Sequence, residues 1–143
     1  MKALTICQPY AHMILLGEKR VENRTWPTNH RGLFYIHAGK SRAWWDEDID
    51  SKRYQNAVFG AVVAIATLLD CLKVADVTAK YPDLIGHCHV NGPWCWILRN
   101  VTPIGPWSWR GAQGLFEIDV EELGRVANRE LGIPQGAHSK RPK

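Results

Sequence analysis

Residues 17–24 read Gly-Glu-Lys-Arg-Val-Glu-Asn-Arg, and this is the most informative segment of the chain. Its second half, continued to Thr25, has the composition of a strand over residues 21–25. Because side chains alternate along a strand, Glu22 and Arg24 would share one face, with Lys19 just before the strand begins. A carboxylate, a guanidinium and an amine so close together suit an anionic or strongly polar ligand better than a hydrophobic core.

The flanking sequence predicts a small α+β domain. Strands are expected at residues 3–7, 21–26, 33–38, 59–69, 94–101 and 115–120, and helices at residues 10–16, 41–50, 76–81 and 121–131. The nearly continuous apolar run within residues 59–69 predicts the central strand of the sheet. Strands and helices do not alternate regularly and no repeat occurs, so the expected architecture is a small mixed β-barrel flanked by helices.

Length and charge favour a single domain with an anionic partner. A chain of 143 residues suits one hydrophobic core, and we expect one domain over residues 1–131 followed by a disordered basic tail over residues 132–143. Residues 1–42 carry seven basic and two acidic side chains, whereas residues 43–143 carry eleven basic and twelve acidic ones. This asymmetry favours an anionic partner such as nucleic acid, with a merely solvated basic surface as the alternative.

Cysteine usage and hydropathy predict a cytoplasmic protein. The four cysteines show no paired spacing of the kind that disulfide frameworks have; they are Cys7, Cys71, Cys88 and Cys95. The first residues lack the pattern of a signal peptide, and no apolar run reaches the ~18 residues of a spanning helix. We therefore expect reduced thiols and no membrane partner.

Residues 87–89, His-Cys-His, form a candidate metal cluster with Cys95. Cysteine and histidine are zinc ligands. However, the chain has no Cys-x-x-Cys pair, and neighbouring side chains on a strand point apart. We therefore expect no metal and no other cofactor, with zinc at these four residues as the alternative.

The segment around Lys19 resembles the opening of an ASCH domain. That family shares the pattern Gly-x-Lys-x-x-Glu-x-Arg, which is met here by Gly17, Lys19, Glu22 and Arg24. Further matching segments occur in the same order, at residues 8–11, 31–32, 36–38, 94–98, 103–104 and 111–116. The resemblance covers most of residues 2–119. It implies a PUA-like fold with a cleft beside the first helix, and a link to RNA.

The resemblance leaves two kinds of function open. The first is a module that binds RNA or a modified nucleoside at a basic cleft containing Lys19, Glu22 and Arg24. The second is a small metal-independent hydrolase at the same cleft, since some ASCH-like proteins remove the acetyl group of N4-acetylcytidine with the motif lysine. Ribonuclease activity is also associated with the family, and a hydroxyl from Tyr10 or Ser108 could then assist the three charged residues.

Five further residues are candidate ligand contacts. Gln8 and Tyr10 lie at the start of the first helix, where they could bind or stack on a base, or instead cap the helix and pack. Trp26 is the preferred stacking residue, with core packing as its alternative. Lys40 lies in a small-residue turn suited to a phosphate, and Ser108 lies in a loop containing tryptophan and arginine that is typical of nucleic-acid contact.

Overall fold

A computed structural model describes residues 1–132. Its strands are β1 Lys2–Ile6, β2 Val21–Arg24, β3 Gly32–Ala38, β4 Ala61–Lys73, β5 Trp94–Ser108 and β6 Leu115–Glu117. Its α-helices are α1 Tyr10–Leu15, α2 Asp50–Arg53, α3 Val77–Lys80 and α4 Val120–Glu130. Two short 3₁₀ segments, Val74–Asp76 and Pro82–Leu84, flank α3. The predicted tail lies outside the described residues except for Gly132, and its boundary stays a prediction.

The six described strands form one mixed sheet in the order β2-β5-β4-β3-β1-β6. β1 and β3 are parallel. The other neighbouring pairs are antiparallel. The sheet curls into a half-barrel accompanied by the helices, which confirms the predicted α+β class and small mixed barrel. β4 pairs with both β3 and β5, so it occupies the interior of the sheet, as its apolar sequence predicts.

The main hydrophobic core joins α1 to the sheet. Ala11 and Ile14, three residues apart on one face of α1, are fully buried against β-strand residues that include Phe34 and Trp96. Burial of each large side chain contributes roughly 1.5–3 kcal/mol, which holds this short helix in place. Gly17 follows α1 with a positive φ of 78°, and the chain then turns into β2 as the sequence predicts.

Residues 41–49 form turns, so the helix predicted over residues 41–50 is wrong for most of its length. The Asp46 carboxylate accepts hydrogen bonds from the backbone N–H groups of Asp48 at 2.9 Å and Ile49 at 3.0 Å. The Asp50 carboxylate accepts from the N–H of Asp46 at 2.8 Å. These local side-chain bonds satisfy backbone groups that a helix would otherwise pair, and α2 begins only at Asp50.

One strand is longer than the sequence predicts. β5 continues to Ser108 rather than ending at Val101, so Trp107 and Ser108 belong to a strand and not to a loop. Among the helices of residues 1–132, none is both long and apolar enough to cross a membrane.

Candidate functional site

Lys19, Glu22 and Arg24 form one linked group at the start of the sheet, called here the charged trio. Glu22 Oε1 lies 3.3 Å from Lys19 Nζ. Glu22 Oε2 accepts hydrogen bonds from Arg24 Nε at 3.1 Å and Nη2 at 2.8 Å. Arg24 Nη2 also donates to the Thr5 carbonyl at 2.8 Å. The structure therefore brings together the three residues predicted as the centre of the site, while their roles stay predictions.

Lys19 is the buried member of the charged trio. Its side chain is only 4% exposed, and Nζ donates to the backbone carbonyl of Val21. Burial lowers the pKa of Lys19, and the neighbouring Glu22 carboxylate offsets that effect only in part. The ammonium also lies 5.7 Å from the centre of the Tyr10 ring. Lys19 is thus held inside the protein by contacts that a ligand would have to displace.

Arg24 is the partly exposed member of the trio, and it lines a cleft of about 390 Å³, called here the smaller cleft. Thr5, Trp26 and residues 112–114 form the rest of the wall. The Trp26 ring packs edge-on against buried Trp96, with ring centres 4.9 Å apart. The smaller cleft therefore offers a guanidinium and an indole, each fixed by a buried neighbour, and this pair suits a phosphate and an aromatic base.

A second cleft of about 920 Å³, called here the larger cleft, shares Thr5 with the smaller one. Lys40, Ser108 and Arg110 line it and are exposed, and the Trp109 ring is half-buried beside them. None of the described residues in its wall is acidic. Two of the predicted ligand contacts, Lys40 and Ser108, therefore lie in the larger cleft and not beside the charged trio.

His37 supports the floor between the two clefts. Its Nε2 lies 2.6 Å from the Trp109 carbonyl, which can only accept, so Nε2 carries the proton and Nδ1 accepts from the Thr5 hydroxyl at 3.0 Å. Burial lowers the pKa of His37, with the Trp109 carbonyl acting in the opposite direction. A Cβ at Gly111 would lie 2.7 Å from Thr5 Oγ1, so a glycine is needed here for close packing.

Gln8 and Tyr10 lie outside the walls of both clefts. Gln8 is 1% exposed, and its amide donates to the Val58 carbonyl at 2.7 Å and accepts from the His12 N–H at 2.9 Å. Its polar atoms are therefore used inside the protein, in the capping arrangement that was the alternative to ligand contact. Tyr10 is half-buried above Lys19.

Trp44 is a candidate contact that the sequence interpretation missed, because it was assigned to a helix. It is 65% exposed on the surface turn of residues 41–49, and its ring lies 6.3 Å from the Tyr10 ring. The His89 ring also lies near Tyr10, with ring centres 6.4 Å apart. A tryptophan two residues after Arg42 in a highly charged segment is a sequence signal that could have identified it.

The four candidate zinc ligands are not gathered into one site. His87 Nε2 accepts a hydrogen bond from the Arg20 N–H at 3.1 Å. Cys95 is fully buried beside Asn23, whereas Cys88 is exposed. Within residues 1–132 no three His, Cys, Asp or Glu side chains are grouped closely enough to hold a metal ion.

The chain belongs to the ASCH domain family, because the family's sequence model, described as ASCH domain, matches residues 4–118. This family is associated with RNA binding. Activating signal cointegrator 1 from Homo sapiens is 28% identical over 109 residues, which are 68% of this chain and 18% of the human protein. The Mus musculus protein of the same name is 30% identical over 93 residues, 57% of this chain and 16% of that protein. The chain thus spans less than a fifth of these relatives.

Solved structures show the same fold. The ASCH protein from Zymomonas mobilis has a TM-score of 0.54 at 17% identity, over 86% of this chain and 90% of that one. A point mutant of the same protein has a TM-score of 0.53 at 17% identity, over 87% and 94% of the two chains. At this identity the similarity concerns the fold alone.

Proposed function

We propose that this ASCH domain binds RNA or a modified nucleoside in the smaller cleft, with Arg24 and Trp26 as its main contacts. The observation that carries the proposal is the fixed guanidinium of Arg24. Its Nε and Nη2 are held by Glu22 and by the Thr5 carbonyl, and no described residue accepts a hydrogen bond from Nη1. An arginine oriented in advance loses little side-chain entropy when it binds a phosphate.

The electrostatics of the charged trio agree with an anionic ligand. Lys19 and Arg24 are two cationic groups around the single carboxylate of Glu22, so neutralisation within the trio is incomplete. The Arg24 side chain is 23% exposed, while those of Lys19 and Glu22 are 4% and 9% exposed. Arg24 is therefore the member through which the remaining positive charge reaches a ligand.

The position of Lys19 favours binding over hydrolysis. A lysine that acts as a base or nucleophile must come within hydrogen-bond reach of the substrate. Lys19 lines neither the smaller nor the larger cleft, and its ammonium is already bonded to Val21 and paired with Glu22. The lowered pKa of Lys19 would suit acyl chemistry, so the test below also measures hydrolysis of N4-acetylcytidine.

The test compares Arg24→Gln with a matched control, Arg99→Gln. Arg99 is also a strand arginine paired with a carboxylate, Asp83, at 3.1 Å, and its side chain is 25% exposed, but it lines neither cleft. Binding of a fluorescent single-stranded RNA is measured by anisotropy at low salt. Loss of one phosphate contact should raise the Kd of Arg24→Gln about tenfold, and Arg99→Gln should remain within about threefold of wild type.

Wild type, the two arginine variants and Lys19→Ala are also incubated with N4-acetylcytidine and with the RNA in the presence of EDTA. Equal affinities for the two variants would refute the Arg24 contact. Turnover of either substrate that is lost in Lys19→Ala would replace the binding module with a hydrolase centred on Lys19.

A further inference from the structure

We infer that the larger cleft binds a phosphodiester group adjoining the nucleotide held at Arg24, so that the ligand is a single-stranded oligonucleotide and not a free nucleoside. This inference rests on the proposed function and names its ligand class. It is carried by the charges of the larger cleft, by its glycine-rich wall and by its connection to the smaller cleft.

The charges of the larger cleft match a phosphate. Lys40 and Arg110 are exposed in its wall, and no described residue of that wall carries a compensating carboxylate. Lys40 is also positioned by packing, because its side chain crosses Gly60: a Cβ added there would lie 2.9 Å from Lys40 Cε. Two cations held around an open, polar cavity attract an anion more strongly than two isolated surface charges.

Three glycines and a serine form part of the same wall, in which the N–H groups of Gly39 and Gly60 are already bonded to the carbonyls of Ile6 and Ala38. Gly39, Gly60 and Gly111 contribute no side chains to the cavity. Ser108 adds a hydroxyl that has no hydrogen-bond partner among the described residues. Among the described residues of the wall, Phe59 and Trp109 have the large aromatic rings. The Arg42 guanidinium already lies over the Phe59 ring, 4.0 Å from its centre. This wall therefore suits a sugar–phosphate group better than a stacked base.

Thr5 connects the two clefts. Its carbonyl accepts from Arg24 in the smaller cleft, and its hydroxyl donates to buried His37 beneath the larger one. The two clefts therefore meet at one residue near the end of β1. Consecutive nucleotides are joined by phosphodiesters, so a strand whose base lies at Trp26 has its next phosphate available to the larger cleft. A free nucleoside would leave Lys40 and Arg110 without a partner.

Glu130 lies next to the larger cleft without lining it. Its Oε1 accepts a hydrogen bond from the Ser108 N–H at 2.9 Å, so a carboxylate lies behind the wall at Ser108. A doubly charged terminal phosphate would be repelled by this carboxylate more than a singly charged phosphodiester would be. The larger cleft therefore favours internal backbone phosphates over inorganic phosphate.

The experiment reverses the charges of the larger cleft in the full chain, using Lys40→Glu with Arg110→Glu. The matched control is Lys52→Glu with Arg53→Glu, which makes the same change in net charge at exposed positions of α2 outside both clefts. Binding of a labelled single-stranded RNA decamer is measured from 50 to 200 mM salt. Cytidine, a dinucleoside monophosphate and inorganic phosphate serve as competitors.

We expect the cleft variant to bind the decamer at least twentyfold more weakly than the control variant. The slope of log K against log salt should become less steep by about 0.7, because the contact with one single-strand phosphate is lost. The dinucleoside monophosphate should compete better than cytidine, and inorganic phosphate should compete least. Far-ultraviolet circular dichroism confirms that both variants fold, and Lys40→Ala with Arg110→Ala provides a milder second pair.

Three results would overturn the inference. One is an affinity loss no larger than that of the control variant, while Arg24→Gln still weakens binding; the proposed function would then stand alone. Another is competition by cytidine equal to that by the dinucleoside monophosphate. The third is inorganic phosphate competing best, which would identify a site for free phosphate. If wild type binds neither RNA nor nucleoside, the proposed function fails together with this inference.

Discussion

Arg24 and Glu22 meet at a single oxygen atom: Nε and Nη2 of the guanidinium both donate to Oε2 of the carboxylate, at 3.1 and 2.8 Å. This arrangement leaves Oε1 for Lys19, 3.3 Å away. Glu22 therefore holds a buried cation on one side and a partly exposed cation on the other. Its carboxylate links the stability of the edge strand β2 to the orientation of the proposed ligand contact.

Glu22→Gln should destabilise the protein by about 3 kcal/mol, because it removes one partner from a buried ion pair and leaves Lys19 without its carboxylate. Urea denaturation measures the loss. The control is Glu117→Gln, whose carboxylate is paired with Lys2 and the N-terminal amine but is 64% exposed, and it should lose much less. Equal losses for the two variants would show that the buried trio behaves as an ordinary surface pair.

Gly111→Ala should disrupt the floor between the clefts. Its Cβ would lie 2.7 Å from Thr5 Oγ1 and 2.8 Å from His37 Cε1, so these two residues would have to move. We expect a loss of about 1–3 kcal/mol in unfolding free energy and weaker RNA binding. Gly124→Ala is the matched control: it lies within α4 with nothing within 4 Å of its added Cβ, and it should stabilise by about 0.5–1 kcal/mol. Unchanged RNA affinity in Gly111→Ala would contradict the role given to this floor.

Trp44→Ala should weaken RNA binding about tenfold while leaving stability nearly unchanged. The ring is 65% exposed and lies beside Tyr10, so it offers a stacking surface worth roughly 1–3 kcal/mol per base. Ile85→Ala serves as control, since Ile85 is an equally exposed apolar residue at 70%. Anisotropy titrations and thermal unfolding are run on both. If the isoleucine variant loses as much affinity as Trp44→Ala, the effect is not stacking.

Unfolding free energy should fall as the pH is lowered from 7.5 to 5.5. Burial is the largest cause of a lowered pKa for four histidines, namely His12, His37, His87 and His89. The unfolded chain therefore binds more protons once the pH drops below their ordinary value of 6.5, and stability is lost between that value and the lowered pKa of each folded imidazole.

Urea unfolding at several pH values, with NMR titration of the imidazoles in folded and urea-unfolded protein, tests this expectation. The window lies above the range in which Asp70 and Glu117, whose pKa values are also lowered, would titrate. A flat profile between pH 5.5 and 7.5 would contradict the direction assigned to all four histidines.

Local sequence patterns were enough to predict several elements and the geometry of the charged trio. The end of α1 shortly before Gly17 follows from a glycine after an apolar helix, and the shared face of Glu22 and Arg24 follows from strand alternation. The central position of β4 follows from its nearly continuous apolar sequence. Each of these depends on residues within one turn or one strand, so the information is present in a few neighbouring positions.

The chain's linear order carries little information about the clefts, because their walls join distant segments. Thr5 meets His37 because β1 pairs in parallel with β3, and it meets Arg24, on the non-neighbouring strand β2, only because the sheet curls. Lys40 shares a cavity with Ser108 and Arg110 only when β5 runs its full length. Local side-chain hydrogen bonds replaced the expected helix at residues 41–49 and exposed Trp44. Long-range strand pairing and competition for backbone hydrogen bonds are physical effects that no short window of sequence contains.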